Sequence, residues 1–405
     1  MKVCLIKASA ESEFKKYKKY MGAPPQNIFS VAACTPSDVH IEMVDETMDM
    51  KVNFETNAEI IGIFMSTPDA IRAYELAFEF RKRDKIVVLG GLHPTFNKEE
   101  AIQYGDVVIV GEAEGIWEEL LEDYKRGTLK TIYERETPVD MSVLKSYPTN
   151  IIDKSVYKGV WSVLVSRGCN NRCAFCAVHP FFGNIRYRPV EAIVEEIKNS
   201  GASIVELHSD NLTSDREYAK KLFKALIPLK IKWVGETTIL LAEDDELLKL
   251  AAESGLTYLL VGIETPSNDA LKNVGKGFVS RERVKEYIKK FHQYGIAVDS
   301  AMLFGFDEHD ETIFHEVLKF VDEIELDVCH SVIAIPFPGT KLFETMEKDG
   351  RLITRDWSKY DGRHTVYKHP KMSPIEIEKG VKYFEEKTYT LRRYLKYLKV
   401  LPKFI

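Results

Sequence analysis

Ser166-Arg167-Gly168-Cys169-Asn170-Asn171-Arg172-Cys173-Ala174-Phe175-Cys176 is the stretch on which the reading of this chain turns. It follows directly on a short apolar run, Ser162–Ser166, that reads as a strand, so the cysteines fall on a loop. Their spacing is Cys-x3-Cys-x2-Cys. Three thiolates so placed can hold three corners of an iron–sulfur cube. With no fourth cysteine nearby, one iron keeps an open position, which is where a substrate or cofactor can bind. Two other readings of the spacing stay open: zinc completed by His179, three residues on, and a loop that holds no metal. The place of the loop, straight after a strand and at the head of a βα series, favours the cluster. The remaining cysteines, Cys4, Cys34 and Cys329, are scattered in apolar surroundings. Six in 405 residues are too few for a disulfide framework.

Downstream of the loop, short apolar runs recur near Ser203–His208, Lys232–Glu236, Tyr258–Glu264, Ala297–Leu303 and Val328–Ile335. Helical periodicity lies between them, as at Val190–Asn199, Tyr218–Leu226 and Asp245–Ser254. About six βα units predict a partial parallel barrel over residues 159–345; a complete eight-fold barrel takes typically ~250 residues. Upstream, strands are expected at Val3–Ile6, Val39–Asp45, Ile60–Ser66, Lys85–Leu89 and Val107–Val110, with helices at Asp69–Arg83 and Gly115–Arg126. That alternation predicts an α/β doubly wound, Rossmann-like domain over residues 1–132. Ligands of such sheets bind beyond the carboxyl ends of the strands. Those ends carry Ser66-Thr67-Pro68, Gly90-Gly91-Leu92-His93-Pro94 and Gly111-Glu112-Ala113-Glu114, and glycine lets a large ligand approach the backbone. Residues 133–158, with Pro138 and Pro148 and little periodicity, read as a linker, and 346–405 as a helical C-terminal region.

The charge balance, 56 basic against 62 acidic residues and a net charge of −6, argues against a nucleic-acid binder. No run of about 18 uncharged apolar residues occurs, so no membrane span is expected. The N-terminus lacks the pattern of a secretory signal, and a cytoplasmic protein is expected. Near the C-terminus, Leu391, Tyr394, Leu395 and Leu398 share one helical face opposite a basic one. A helix of this kind within 390–405 can lie on an anionic membrane, but packing against the domain edge is the preferred reading. His208, His292, His330 and His364 lack metal-ligand spacing and are read as structural.

Cys169, Cys173 and Cys176, with aromatic Phe175 before the last cysteine, resemble the signature of the radical S-adenosylmethionine (SAM) superfamily. The resemblance implies a [4Fe-4S] cluster whose open iron is chelated by SAM, and reductive cleavage of SAM to a 5′-deoxyadenosyl radical. It further implies that Phe175 places its backbone near the adenine and that Ser209-Asp210-Asn211 meet the SAM amino group. Glu236 and Glu264 would point into the barrel mouth toward ribose, SAM or substrate, or else cap the following helices. Arg186-Tyr187-Arg188 would attract the SAM carboxylate or merely solvate a loop. Phe304-Gly305-Phe306-Asp307 is a further candidate for SAM or substrate contact.

The N-terminal domain resembles the cobalamin-binding domain found ahead of many radical SAM domains. The resemblance rests on Pro24-Pro25, Ala32-Ala33-Cys34-Thr35-Pro36, Asp45-Glu46, Ser66-Thr67-Pro68-Asp69-Ala70 and the two glycine-bearing strand ends. Asp356-Trp357-Ser358-Lys359-Tyr360-Asp361 and Met372-Ser373-Pro374 extend it over nearly the whole chain, toward cobalamin-dependent methylases of the hopanoid-methylase type. It implies cobalamin contacts at Ser66, Thr67, Gly90, Gly91, His93, Gly111 and Glu112. The Asp-x-His-x-x-Gly motif that ligates cobalt from below is absent: Asp38-Val39-His40-Ile41-Glu42-Met43 ends in Met. The implied activity is C-methylation of an unactivated carbon in a small-molecule or lipid substrate, fed by a low-potential donor of ferredoxin or flavodoxin type. A radical SAM cyclase, mutase or C–C bond-forming enzyme with the same cofactors, and a non-catalytic corrinoid or metal module, are the alternatives.

Overall fold

Two six-stranded, all-parallel sheets account for the strands that the apolar runs predict. The structure, a computed structural model, describes residues 1–11, 23–147, 156–157 and 160–390. In the first sheet, β1 (Lys2–Lys7), β2 (His40–Asp45), β3 (Ile60–Phe64), β4 (Ile86–Gly90), β5 (Val107–Val110) and β6 (Ile132–Glu134) run in the order β2-β1-β3-β4-β5-β6. The strand order reverses between β1 and β3, the switch point at which doubly wound sheets open a crevice. Alternate residues of β1 serve opposite cores, as a pleated strand between two helical layers must. Val3 and Leu5 pack with Phe29 and Trp117, whereas Cys4 and Ile6 pack with Ala73 and Phe80. Truncating a fully buried member such as Ile61 to Ala costs about 2–5 kcal/mol in cores of this density.

The second sheet is built from β7 (Trp161–Leu164), then, past the hairpin of β8 (Ser166–Arg167) with β9 (Arg186–Tyr187), β10 (Ile204–His208), β11 (Lys232–Thr237), β12 (Leu256–Val261), β13 (Ala297–Phe304) and β14 (Val328–Ile333). Its order, β14-β13-β12-β11-β10-β7, leaves two edges, so the barrel is partial. Val205, Leu207, Trp233, Leu259, Val298 and Met302 point outward and are buried under the helices. Their neighbours along each strand point inward, and many of these are polar: Glu206, His208, Glu236, Tyr258, Asp299 and His330.

Three features differ from the sequence expectation. Ile132–Glu134, at the head of the expected linker, is a sixth strand paired with β5; at three residues it is too short to show an alternation. Gln26–Cys34 is a helix packed on β1. The C-terminal region from residue 346 is helical chiefly at Pro374–Thr388, where Ser373 and Glu376 form a capping box and Pro374 stands at the first turn. That helix buries Ile377, Val381 and Phe384 and lies against β14. Among the described residues no helix is long and apolar enough to cross a membrane. The amphipathic stretch beyond Thr390 lies outside the described residues.

Candidate active site at the facing strand ends

The cysteine loop is held by its backbone. Cys169 N donates to Gly183 O at 3.2 Å and Ala174 N to Val274 O at 2.9 Å, and Cys176 N closes a turn onto Cys173 O. Gly168 has φ +88°, and a Cβ there would come within 2.7 Å of the Gly183 and Asn184 carbonyls, so only glycine fits. Its N–H donates to Asp210 Oδ2 at 2.8 Å, which ties the loop to the end of β10. Asn211 Nδ2 reaches toward Cys169 Sγ at 3.9 Å.

The three thiols are part-exposed and close enough to act on one another. Burial pushes the Cys176 thiol up to about 11, and the neighbouring Cys173 and Cys169 add to it. Burial also raises Cys173, against the nearby Lys276. His179 Nδ1 sits 2.9 Å from the Cys169 carbonyl oxygen. Among the described residues no three His, Cys, Asp or Glu side chains are arranged to hold a single metal ion. A cube sets a looser condition, since its thiolates bind separate irons and need not converge on one point.

The loop after β10 lies beside this one. Ser209 Oγ is 2.5 Å from Ser166 Oγ, and Asn211 accepts from Thr237 Oγ1 at 3.0 Å. Burial raises the Asp210 carboxyl. Phe175 packs on Phe306 with ring centroids 6.0 Å apart, whereas Asp307 turns away to Arg351.

Neither Glu236 nor Glu264 caps a helix, because Asp244 and Ser267 do so for the helices that follow. Glu264 adopts φ +68°, a conformation that costs a non-glycine residue on the order of 1–3 kcal/mol. It is kept there by its carbonyl, which accepts from Leu303 N at 2.7 Å, and by an ion pair with Lys276. Burial works against the Lys276 charge, but Glu264 outweighs it and holds the ammonium above its usual range. Lys276 is the buried site cation that sequence reading missed, because nothing in its local sequence marks it.

Glu236 lines the barrel lumen, reachable by solvent yet walled in by protein. Burial and the Asp210 charge push its carboxyl up to about 7. A raised carboxyl holds its proton in the folded chain after the unfolded chain has lost it, so this group's contribution to stability falls as pH rises from about 4.5 to about 7. Glu236→Gln should flatten that slope, as read by urea unfolding at about pH 5 and about pH 8. An unchanged slope would refute the raised carboxyl.

The arginines resolve differently from expectation, whereas each of the four histidines has a carboxylate partner. His208 and His330, read as structural, face the lumen with Glu206 and Asp299 beside them. Arg188 is buried on Glu196 and the Leu164 carbonyl, within the barrel wall.

At the carboxyl edge of the first sheet, Gly91 has φ +105°, and a Cβ there would lie 2.5 Å from Met65 O; Gly111 has φ +84° with nothing within 4 Å of its would-be Cβ. The second is an open cradle at the strand end. Ser66 donates to Asp69, which also binds Lys7 and Ala10 N and so ties the ends of β1 and β3 together. His93 is fully buried, with Tyr74 and Glu100 around Nε2 and Asn97 at Nδ1; it belongs to the wall behind the strand ends. His40 stands at the opposite edge, beside the start of β1.

Glu112 and Glu114 reach out of the first sheet altogether. Arg167, two residues before Cys169, binds Glu112 at 2.8 Å and Glu114 at 2.6 Å and donates to Ser30 at 3.1 Å. Arg186 adds a contact to Glu112 at 3.1 Å. All three members of the Arg167 triad are buried. Arg167 holds Glu114 ionised despite its burial, and the two carboxylates raise the guanidinium. The strand ends of the first sheet are thus fastened to the loop that carries the cysteines.

These features define two parallel α/β sheets fastened together at a thiol-bearing loop. Residues 163–321 match the profile of the Radical SAM superfamily. The chain is 30% identical over 394 residues to bacteriochlorophyllide d C-8(2)-methyltransferase of Chlorobaculum tepidum, covering 90% of this chain and 85% of that one. It is 24% identical to hopanoid C-2 methylase of Rhodopseudomonas palustris over 82% of this chain and 66% of the other. The fold superimposes on the radical SAM methyltransferase TsrM from Kitasatospora setae, solved with cobalamin and a [4Fe-4S] cluster, with TM-score 0.70 at 17% identity, over 96% of this chain and 85% of that one. The chain belongs to the radical SAM superfamily, in one family with the first of these methyltransferases. It is therefore a radical SAM enzyme, with SAM and an iron–sulfur cluster as its cofactors.

Proposed function

We propose that this enzyme is a cobalamin-dependent C-methyltransferase acting on an unactivated carbon. The observation that carries the reading is the buried Arg167–Glu112–Glu114 triad, which joins the strand ends of the first sheet to the cysteine loop. Two large cofactors that act on one substrate atom must be held in register, and positioning of this kind can be worth about 7–11 kcal/mol.

Cys169, Cys173 and Cys176 hold the cluster, and the donor chemistry fits: three neighbouring thiols with no fourth cysteine beside them. Asp210, Asn211, Ser209, Glu236, Glu264 and the backbone of Phe175 surround the SAM position; Lys276 supplies a cation there. Ser66, Thr67, Gly90, Gly91 and Gly111, at the strand ends of the first sheet, would hold a corrinoid through their backbone. Among the described residues no histidine of that edge is free to ligate a metal, since His93 is enclosed and His40 lies at the far edge. When bound, the cluster and SAM supply hydrogen abstraction and the corrinoid supplies the methyl group. Glu112 and His93 support this cradle from behind.

The corrinoid unit comprises residues 1–132 extended by the strand to Glu134, the linker runs to 158, the barrel spans 159–345 and the C-terminal region 346–405. The enzyme works in the cytoplasm with a ferredoxin- or flavodoxin-type donor. Anaerobic protein reconstituted with iron, sulfide and cobalamin should convert methyl-labelled SAM to labelled product together with 5′-deoxyadenosine. Unlabelled product alongside 5′-deoxyadenosine would favour a cyclase or mutase. Failure to form 5′-deoxyadenosine at all would refute both.

A further inference from the structure

A buried cation stands against the cysteine loop. The turn Val274-Gly275-Lys276, which follows the helix Asn268–Asn273, is docked on the backbone of residues 172–174. Ala174 N donates to Val274 O at 2.9 Å, and Ala174 and Phe175 pack against Ala270 and Val274. A Cβ on Gly275 would stand 3.3 Å from Arg172 O and 4.0 Å from Cys173 Cα. Lys276 is the next residue, so its ammonium is built into the wall beside Cys173. Lys276 is 8% exposed and ends over Gly262, just past β12, where a Cβ would overlap Nζ and lie 2.6 Å from Glu264 Oε1. Glycine at that strand end leaves room for the ion pair of Lys276 with Glu264. The pair is not neutral as felt by the loop. Lys276 acts on Cys173 more strongly than Glu264 does, and it interacts with both Cys173 and Cys176. Its positive end is therefore turned toward the sulfurs. Asp210 opposes it from the Cys176 side. Charges enclosed in this way are screened by salt far less than surface ones.

We propose that Lys276 tunes the iron–sulfur cluster electrostatically in favour of its reduced form, while Glu264 holds the ammonium in place and moderates its effect. This rests on Cys169, Cys173 and Cys176 as the cluster ligands and not on the methylation chemistry. The step concerned is the uptake of one electron, from a low-potential one-electron donor, that takes the [4Fe-4S] cluster from its 2+ to its 1+ state. No bond or proton changes place. A fixed positive charge favours the added negative one, and net charge and burial around a cluster are among the features that set its potential. The two members of the pair then act in opposite senses. Without Lys276, Glu264 stands uncompensated beside the cluster and reduction is disfavoured. Without the Glu264 charge, the cation is unopposed and reduction is favoured. A merely structural pair would show no such opposition.

The test is a redox titration of the full-length, anaerobically reconstituted protein with titanium(III) citrate, in the absence of SAM, with the reduced cluster followed by electron paramagnetic resonance at matched iron content. Lys276→Met should make the cluster ~10-fold harder to reduce, a fall of ~59 mV for one electron. Glu264→Gln should shift the potential the other way. Potentials that stay put, or that move in the same direction in both variants, overturn the proposal. An unchanged potential with weaker SAM binding by calorimetry would make Lys276 a contact of SAM alone and overturn it as well. Lys276→Met combined with Glu264→Gln leaves no uncompensated charge in the wall, so it reads the sign if Lys276→Met alone loses iron. Its potential should still lie below that of the parent protein, because the cation is the stronger member of the pair at Cys173; an equal or higher potential overturns the assignment. Loss of iron from all three variants would show a pair that only supports the loop, and would overturn it too.

Discussion

Cys173→Ala should leave the protein folded but unable to assemble its cluster or cleave SAM. The reason lies in how the loop is held. Its backbone hydrogen bonds run from Cys169 N to Gly183 O, from Ala174 N to Val274 O and from Cys176 N to Cys173 O, and none uses a sulfur. Alanine keeps all of them, so the far-ultraviolet spectrum of the apo-protein should not change. The sulfur, by contrast, is one of three protein ligands to a cube whose fourth corner must stay open for SAM. With one corner lost, iron content should fall from ~4 per chain toward background after reconstitution, and 5′-deoxyadenosine formation with it. The same holds for Cys169→Ala and Cys176→Ala, whereas Cys329→Ala, on β14 and buried away from the loop, should keep its iron. A Cys173→Ala protein that still binds four irons and cleaves SAM would sink the assignment of these ligands.

Arg167→Met should carry the largest stability cost of any single change at the junction of the sheets. Methionine fills a similar volume, so the loss is electrostatic. Glu112 and Glu114 are left buried at 8% and 7% exposure without their guanidinium, although Arg186 and the Val139 N–H still reach Glu112. Removing one partner from a buried ionic set typically costs about 3–5 kcal/mol, because the remaining charge is uncompensated. The loss should show in urea unfolding of the apo-protein followed by tryptophan fluorescence. Adding Glu112→Gln and Glu114→Gln to Arg167→Met should recover part of it, since neutral amides do not need the cation. Recovery in the triple variant separates a charge effect from a packing one. A fully stable Arg167→Met would mean that the triad does not hold the sheets together. Because Arg167 lies two residues before Cys169, its loss should also lower iron incorporation at equal protein concentration.

Much of this molecule is written locally. A strand with alternating burial is readable from five or six residues, and the strands from β1 to β5 and from β10 to β14 lie where the apolar runs put them. The cysteine loop is readable for a related reason: its three donors lie within eight consecutive residues, Cys169 to Cys176, so covalent spacing alone brings them together. Gly168 and Gly91 belong with these, since φ above zero together with backbone carbonyls against a would-be Cβ leaves room only for glycine at these two turns. Ile132–Glu134 escaped notice because three residues carry no period.

Only the tertiary structure decided what pairs with what. Glu112 and Glu114 stand 55 and 53 residues from Arg167, in a turn that reads equally well as a ligand cradle, and no local pattern says that their charges cross to the other sheet. Tyr258 and His330 lie 41 and 31 residues from Asp299, each unremarkable on its own strand. Lys276 is one lysine among many until Glu264 is seen against it. Short-range sterics and periodicity act along the chain and can be read along it. Ion pairs and hydrogen bonds between side chains act through space, and their partners become known once the parallel strands have set depth and register.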